Sequence, residues 1–203
     1  MPRRPDLARR AELARAAFDV LRERGMQTPM RELADALGIK RPTLYFYFRD
    51  LGAVFETLLD QTIQALAETV LARARAHDHP IDRLCAVVDA ALAFHRDRPH
   101  LLTGFLQLWA LGGRDPSSAL DRARHGMRAA SESLVVDLRA GIARKEVRAC
   151  DPERIVNLVL AVVEGTVMHH ALGMAPIDDA AGELIRRVLE PLRAPGRRRR
   201  TRS

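Results

Sequence analysis

The chain has little of what marks several common functions. Its 203 residues contain two cysteines, Cys85 and Cys150. They stand far apart with no ligand spacing around them, which argues against a zinc site or a redox pair and leaves reduced, buried thiols as the expectation. No apolar run reaches the roughly 20 residues that a bilayer crossing needs. Ile155 to Met168 comes nearest, carries Asn157 and Glu164, and reads as a buried helix. Met1 to Arg15 is charged and lacks the apolar core of a secretory signal, so a cytoplasmic protein without membrane contact is expected. Beyond Ala53 no segment alternates as a strand does. No nucleophile motif, phosphate-cradling glycine loop or pair of catalytic carboxylates stands out. The histidines never adopt H-x-x-x-H or H-x-x-E-H spacing. His169 and His170 are adjacent and would point about 100° apart on a helix. A helical metalloenzyme built on His95, His100, His169 and His170 is therefore the weaker alternative, and the expectation is no enzyme, no cofactor and no metal.

What is present begins with the placement of charge. The net charge is +7, but residues 1–50 carry +4, residues 51–192 carry −3 and residues 193–203 carry +6. Positive charge thus gathers at the two ends, as expected where one end of a protein meets a polyphosphate. The tail from Arg193, with Arg197 to Arg200 and Arg202, has no apolar face and reads as a disordered extension. It would add salt-sensitive, sequence-blind affinity for DNA, or simply solubility. Arg3, Arg4, Arg9 and Arg10 form a basic arm with the same two readings, a frayed terminus or a reach to phosphates or the minor groove. An architectural DNA-coating protein using these ends is a second alternative.

The most informative stretch is Thr28 to Phe48, TPMRELADALGIKRPTLYFYF. Thr28 is placed to cap a helix that Pro29 opens, since proline's missing donor costs nothing in the first turn. Met30, Leu33, Ala34 and Leu37 share one face, and Ala34 is small enough for a second helix to cross closely. Gly38 then ends the helix, where the left-handed conformation is needed. A second helix from about Arg41 to Tyr47 buries Leu44 and Phe48. It turns Lys40, Arg41, Thr43, Tyr45, Phe46 and Tyr47 outward or sideways. Three aromatics on so short a helix exceed the needs of a core. Tyrosine hydroxyls and basic side chains suit phosphate oxygens, and a threonine methyl or aromatic edge suits a thymine methyl. Two short helices around a glycine turn, the second carrying this chemistry, form a helix-turn-helix whose second helix enters the major groove.

At these residues the chain resembles the TetR family of bacterial transcriptional regulators. Thr28, Leu33, Ala34, Leu37, Gly38, Ile39, Thr43, Leu44, Tyr45, Tyr47 and Phe48 fall in register with the family's pattern, and Ala17, Phe18 and Gly25 look like the end of its first helix. Two positions depart from it. The family has a serine or threonine cap where Lys40 stands, and a lysine cannot accept that bond. Many members have a phosphate-holding lysine just after Phe48, where this chain has Leu51 and Gly52; Asp50 as helix cap and Arg49 as phosphate contact are the substitutes. The resemblance implies that Thr28, Lys40, Arg41, Pro42, Thr43, Tyr45, Phe46, Tyr47 and Arg49 bind an operator in double-stranded DNA.

The remaining chain reads as all α. Val54 to Leu71 mark a helix of about 25 residues, roughly 38 Å long, closed by His77-Asp78-His79-Pro80. Further helices follow around Leu84 to His95, Leu101 to Trp109, and Ser117 or Ser118 to Arg144. The last two helices, Ile155 to Met168 and a stripe from Ile177 to Leu192, are apolar on more than one face and call for cover on both sides. TetR-like proteins pair through their last two helices, so a homodimer is expected, with Val159, Val163, Val167, Leu184, Ile185 and Val188 at its interface and a palindromic operator as its target. The resemblance also implies a small-molecule effector among the middle helices, with His95, Phe105, Trp109, Met127 and His169 as candidate lining and an apolar, aromatic or lipid-like compound as the ligand. The expected architecture is all-α with about nine helices: a helix-turn-helix domain of three helices over residues 1–50, an effector-binding and dimerisation domain over 51–192, and the tail over 193–203.

Overall fold

A computed structural model describes residues 6–98, 117–177 and 179–195, apart from the side chains of 117–127 and 179. The described residues form α-helices and no named strand: α1 (Leu7–Arg24), α2 (Met30–Ala36), α3 (Arg41–Tyr47), α4 (Leu51–Arg75), α5 (Pro80–Arg96), α6 (Ser117–Ala143), α7 (Pro152–Ala171) and α8 (Asp179–Leu184). The final helix is interrupted, contrary to the single stripe expected from Ile177 to Leu192. It continues as a π-helical turn (Ile185–Leu189) and a 3-10 turn (Glu190–Leu192). Pro191 is the physical reason nearest at hand, because it has no N–H to carry the α-helical ladder onward. Two compact units divide within α4, between Ala65 and Leu66.

The first unit grows from α1. Asp6 caps it, its carboxylate accepting from the Ala8 N–H at 2.9 Å, and Gly25 at φ 106° ends it. Its apolar stripe, Leu13, Ala14, Ala17, Phe18 and Leu21, packs with Leu33 and Ala34 of α2, Leu44 of α3, Phe48, and Ala53, Val54 and Leu58 of α4. The core therefore reaches past the residue-50 boundary suggested by charge. Arg10, read from sequence as part of a DNA-reaching arm, is instead tied inward. Its Nε donates to Thr57 Oγ1 at 3.1 Å, and its guanidinium lies 5.4 Å from the Phe48 ring centre. Arg9 pairs with Glu12 at 3.0 Å. Arg3 and Arg4 lie outside the described residues.

The second unit packs α5 against α7 and against the π-helical turn, and α7 against α8. His79 organises the start of α5. Its Nδ1 accepts from the Ile81 N–H at 3.1 Å, so Nε2 carries the proton and donates to the Glu146 carbonyl at 3.3 Å. α6 passes so close that a Cβ on Gly141 would stand 2.7 Å from Pro80 Cγ and 2.8 Å from Val147 Cγ2. The chain then turns through Lys145 in the left-handed region, φ 62°. Two backbone bonds join the α6–α7 loop to the C-terminal segment, Arg148 N–H to Leu192 O at 2.8 Å and Ala194 N–H to Glu146 O at 2.9 Å. Arg193 completes the strap by donating to both carboxylate oxygens of Asp82 on α5, at 2.6 and 3.3 Å. That bond holds the Asp82 carboxyl below its ordinary range. Cys85 and Cys150 are free, half-buried thiols. Burial pushes Cys85 up to about 11 and raises Cys150 as well.

Candidate nucleic-acid interface

The helix-turn-helix is assembled by three local devices. α2 starts after Pro29, which itself occupies the cap position with no side-chain bond. Thr28 therefore does not cap as expected from sequence. It is buried, and its hydroxyl donates to the Gly25 carbonyl at 2.7 Å, which fixes the entry into α2 and withdraws it from any phosphate. At the other end Gly38 adopts φ 64°. Its N–H and that of Ile39 donate to Asp35 O and Ala34 O at 3.2 and 3.1 Å, closing the turn as the glycine required. α3 then runs over the seven residues that periodicity predicted, with no side-chain cap at Lys40, as the missing acceptor there implied.

α3 is anchored by very little. Leu44 is its buried residue, and Phe48, at its C-terminal cap, is fully buried. Apart from Tyr47, everything else turns away from the core. Arg41, Pro42 and Thr43 are exposed, and Tyr45 and Phe46 stand 52% and 47% open to solvent. Large aromatics left in water on a helix held from one side form an apolar and hydrogen-bonding surface that the fold itself does not use. Tyr47 is the exception among the predicted contacts. It is half-buried, packs against the core, and meets the Phe46 ring edge-on at 5.2 Å, so it buttresses Phe46.

The basic residues around α3 differ in their surroundings. Lys40 is exposed. Arg41 donates to Asp35 of α2 at 3.1 Å, and Arg49 lies 3.4 Å from Asp50. Asp50 caps α4 by accepting from the Ala53 N–H at 3.0 Å, as its position suggested. Sequence reasoning passed over Arg31, exposed on α2 and 3.5 Å from Glu32, and over Asp35. The usable signal was that an acid and a base flank the Gly38 turn.

The other predicted sites fare differently. His95 is half-buried, and its Nδ1 donates to the Ala91 carbonyl at 2.8 Å. His169 is exposed rather than enclosed. Phe105, Trp109, His100 and the side chain of Met127 lie outside the described residues. Among the described residues no group of three or more histidine, cysteine, aspartate or glutamate side chains is placed to hold a metal ion. Val159, Val163, Val167 and Leu184 are buried within the protomer, and Ile185 and Val188 are half-buried. A helix hides its inner stripe first, and these valines are that stripe. The outer face of α7 instead carries Leu158, 41% exposed, with Ala161 and Leu172 also exposed and Gly165 and Met168 half-buried.

Comparison with known proteins agrees with this layout. Residues 13–58 match the family model for bacterial regulatory proteins of the tetR family. Residues 80–194 match that for the C-terminal region of BetI-type transcriptional repressors. The tetracycline repressor protein class A from transposon 1721 of Escherichia coli is 43% identical over 67 residues, 32% of this chain and 27% of that protein. The HTH-type transcriptional regulator BetI of Stenotrophomonas maltophilia is 30% identical over 118 residues, 57% of this chain and 60% of that one. The matches thus span about a quarter and three fifths of these relatives. Among solved structures, a TetR transcriptional regulator from Chloroflexus aurantiacus superposes with a TM-score of 0.71 at 22% identity, covering 93% of this chain and 96% of its own. AibR, solved in complex with isovaleryl coenzyme A and operator DNA, gives a TM-score of 0.62 at 16% identity, with coverage of 89% and 98%. At these identities the likeness is one of fold.

Proposed function

Because the chain belongs to the TetR family of bacterial transcriptional regulators, we propose that it is a repressor rather than an enzyme, that it acts in the cytoplasm, and that as a homodimer it reads a palindromic operator and releases it on binding a small molecule. The observation that carries the DNA-binding part is α3. Leu44 and Phe48 fasten it, while Tyr45 and Phe46 stay open to water beside Lys40, Arg41 and Thr43. In a groove, the cations and tyrosine hydroxyl meet phosphates, and Thr43 and Phe46 meet base edges. In vitro selection of bound duplex DNA tests this directly. A recovered two-fold site, with half-sites about one helical turn or a multiple apart, is the expected result. Uniform protection of every duplex would favour an architectural DNA-coating protein instead.

Dimerisation is supported by the outer face of α7. Leu158, Ala161, Gly165, Met168 and Leu172 recur at helical spacing, and the space a Cβ would take at Gly165 is empty. A second copy could therefore approach closely along this seam. Leu158→Glu is expected to shift the protein to monomer in light scattering at micromolar concentration and to weaken operator binding at least tenfold. Undiminished dimer would move the interface elsewhere. Effector release is supported by α4. Between Leu58 and Ala74 none of its residues is buried, and Leu59, Ile63, Leu66 and Val70 are half-covered. An apolar compound could complete the cover of the Leu66 and Val70 part of this face, within the second unit. Thermal-shift screening with apolar and charged compounds tests the effector class, and stabilisation by charged compounds alone would reject an apolar ligand.

A further inference from the structure

We propose that Asp35 sets the sequence selectivity of the DNA-binding helix by holding Arg41, an inference that rests on the DNA-binding reading above. Three observations carry it. The Asp35 carboxylate accepts from the Arg41 guanidinium at 3.1 Å, and among the described residues it is the ion pair that links α2 to α3. The neighbouring pairs, Arg31 with Glu32 and Arg49 with Asp50, join residues adjacent in sequence. Each partner also stands at the helix end where its charge is unfavourable. Asp35 is in the last turn of α2 and Arg41 opens α3, whereas helix dipoles favour cations at the first place and anions at the second. The pair cancels two local misplacements. Finally, both side chains remain more than half exposed, 56% for Arg41 and 61% for Asp35, so the contact adds little to the stability of the fold and stays accessible to a ligand.

An arginine has five N–H groups in a planar fork. One of its nitrogens is engaged by Asp35, which leaves the rest of the fork to donate to a guanine edge whose position suits the clamped geometry. On a duplex that offers nothing there, Arg41 must leave Asp35 to reach a phosphate. An unpaired carboxylate is then left beside a polyanion. Asp35 thus penalises sequence-blind attachment while leaving matched binding nearly untouched, selectivity by repelling the wrong partner.

The test uses the full chain, the operator recovered by selection and a scrambled duplex of equal composition, with affinity measured by fluorescence anisotropy over a salt series. Asp35→Asn should tighten scrambled-duplex binding roughly threefold to tenfold and steepen its salt slope by about 0.9, the increment for one more neutralised phosphate. Operator affinity should change by less than about threefold, so the selectivity ratio falls. In an Arg41→Ala background the same substitution should leave the ratio unchanged. Arg41→Lys, which keeps the charge and loses the fork, should lower the ratio as well. An unchanged ratio in Asp35→Asn or in Arg41→Lys overturns the proposal. So does an equal fall with and without Arg41, which would mean plain repulsion by the carboxylate. A wild-type chain that selects no site removes the DNA-binding reading itself, whereas a selective wild type with an indifferent Asp35→Asn variant removes only the role of Asp35.

Discussion

Exposed apolar residues occur on α3 and on α7, and they mean different things. α3 has seven residues and could not persist alone, since isolated helices shorter than about 12–15 residues are marginal in water. It survives because Leu44 and Phe48 are sunk in a core built by α1, α2 and α4. So little of its surface is needed for folding that Tyr45 and Phe46 are left over. α7 has twenty residues and buries a full stripe of Val156, Val159, Val163 and Val167. Even its buried Thr166 is satisfied, the hydroxyl donating to Val162 O at 2.6 Å. Beside its exposed Arg154, Asn157, Glu164 and His169, the line through Leu158, Ala161, Gly165 and Met168 is aliphatic or small, the composition of a helix–helix seam. Outward aromatics with cations suit a groove; outward Leu, Ala and Gly suit another helix.

The comparison breaks most completely if its anchor is removed. Phe48→Ala is expected to cost about 3–5 kcal/mol, the range for emptying a large buried aromatic site. Loss of cooperative unfolding of the N-terminal unit and of DNA binding should follow in calorimetry and anisotropy, and a small change would mean that α3 is held by something else. Tyr45→Ala sharpens the contrast from the other side. It should leave the melting temperature alone and weaken operator binding by roughly 1–3 kcal/mol, and the reverse pattern would make Tyr45 structural. A smaller effect concerns the C-terminal strap. The Asp82 carboxyl is lowered by Arg193, so its contribution is complete above the ordinary aspartate value near 3.9 and fades as pH falls through the depressed native one. Both partners are about a third exposed or more, which limits the pair to about 1 kcal/mol. The melting-point gap between wild type and Asp82→Asn should be constant from pH 7 to 5 and close below about 4; a gap that widens in acid would refute the assignment. The smallest effect is a gain. Lys145 holds φ 62°, and Lys145→Gly should stabilise the chain by up to about 1 kcal/mol, read as a higher urea midpoint.

Local chemistry made much of the N-terminal unit legible. Gly38 marked the turn, Pro42 to Tyr47 the second helix, and Asp50 the cap of α4, because each acts within a few residues of itself. Thr28 misled for the opposite reason. Its hydroxyl could cap forward or bond backward, and the Gly25 carbonyl, 2.7 Å away in the folded turn, decided it. Arg10 looked like a free cation until α4 brought Thr57 beside it. The dimer candidates on α7 were chosen for apolarity, which does not say which apolar side faces inward.

Residue type and spacing by themselves determined that this chain is helical, where its helix-turn-helix lies, and that Leu44 and Phe48 point in while Tyr45 and Phe46 point out, since a period of 3.6 residues fixes relative directions within one helix. Tertiary structure alone decided which cations are committed to the fold, which valines are hidden, and that Asp35 reaches Arg41. Those outcomes depend on distances between separate helices, and no periodicity within a helix encodes them.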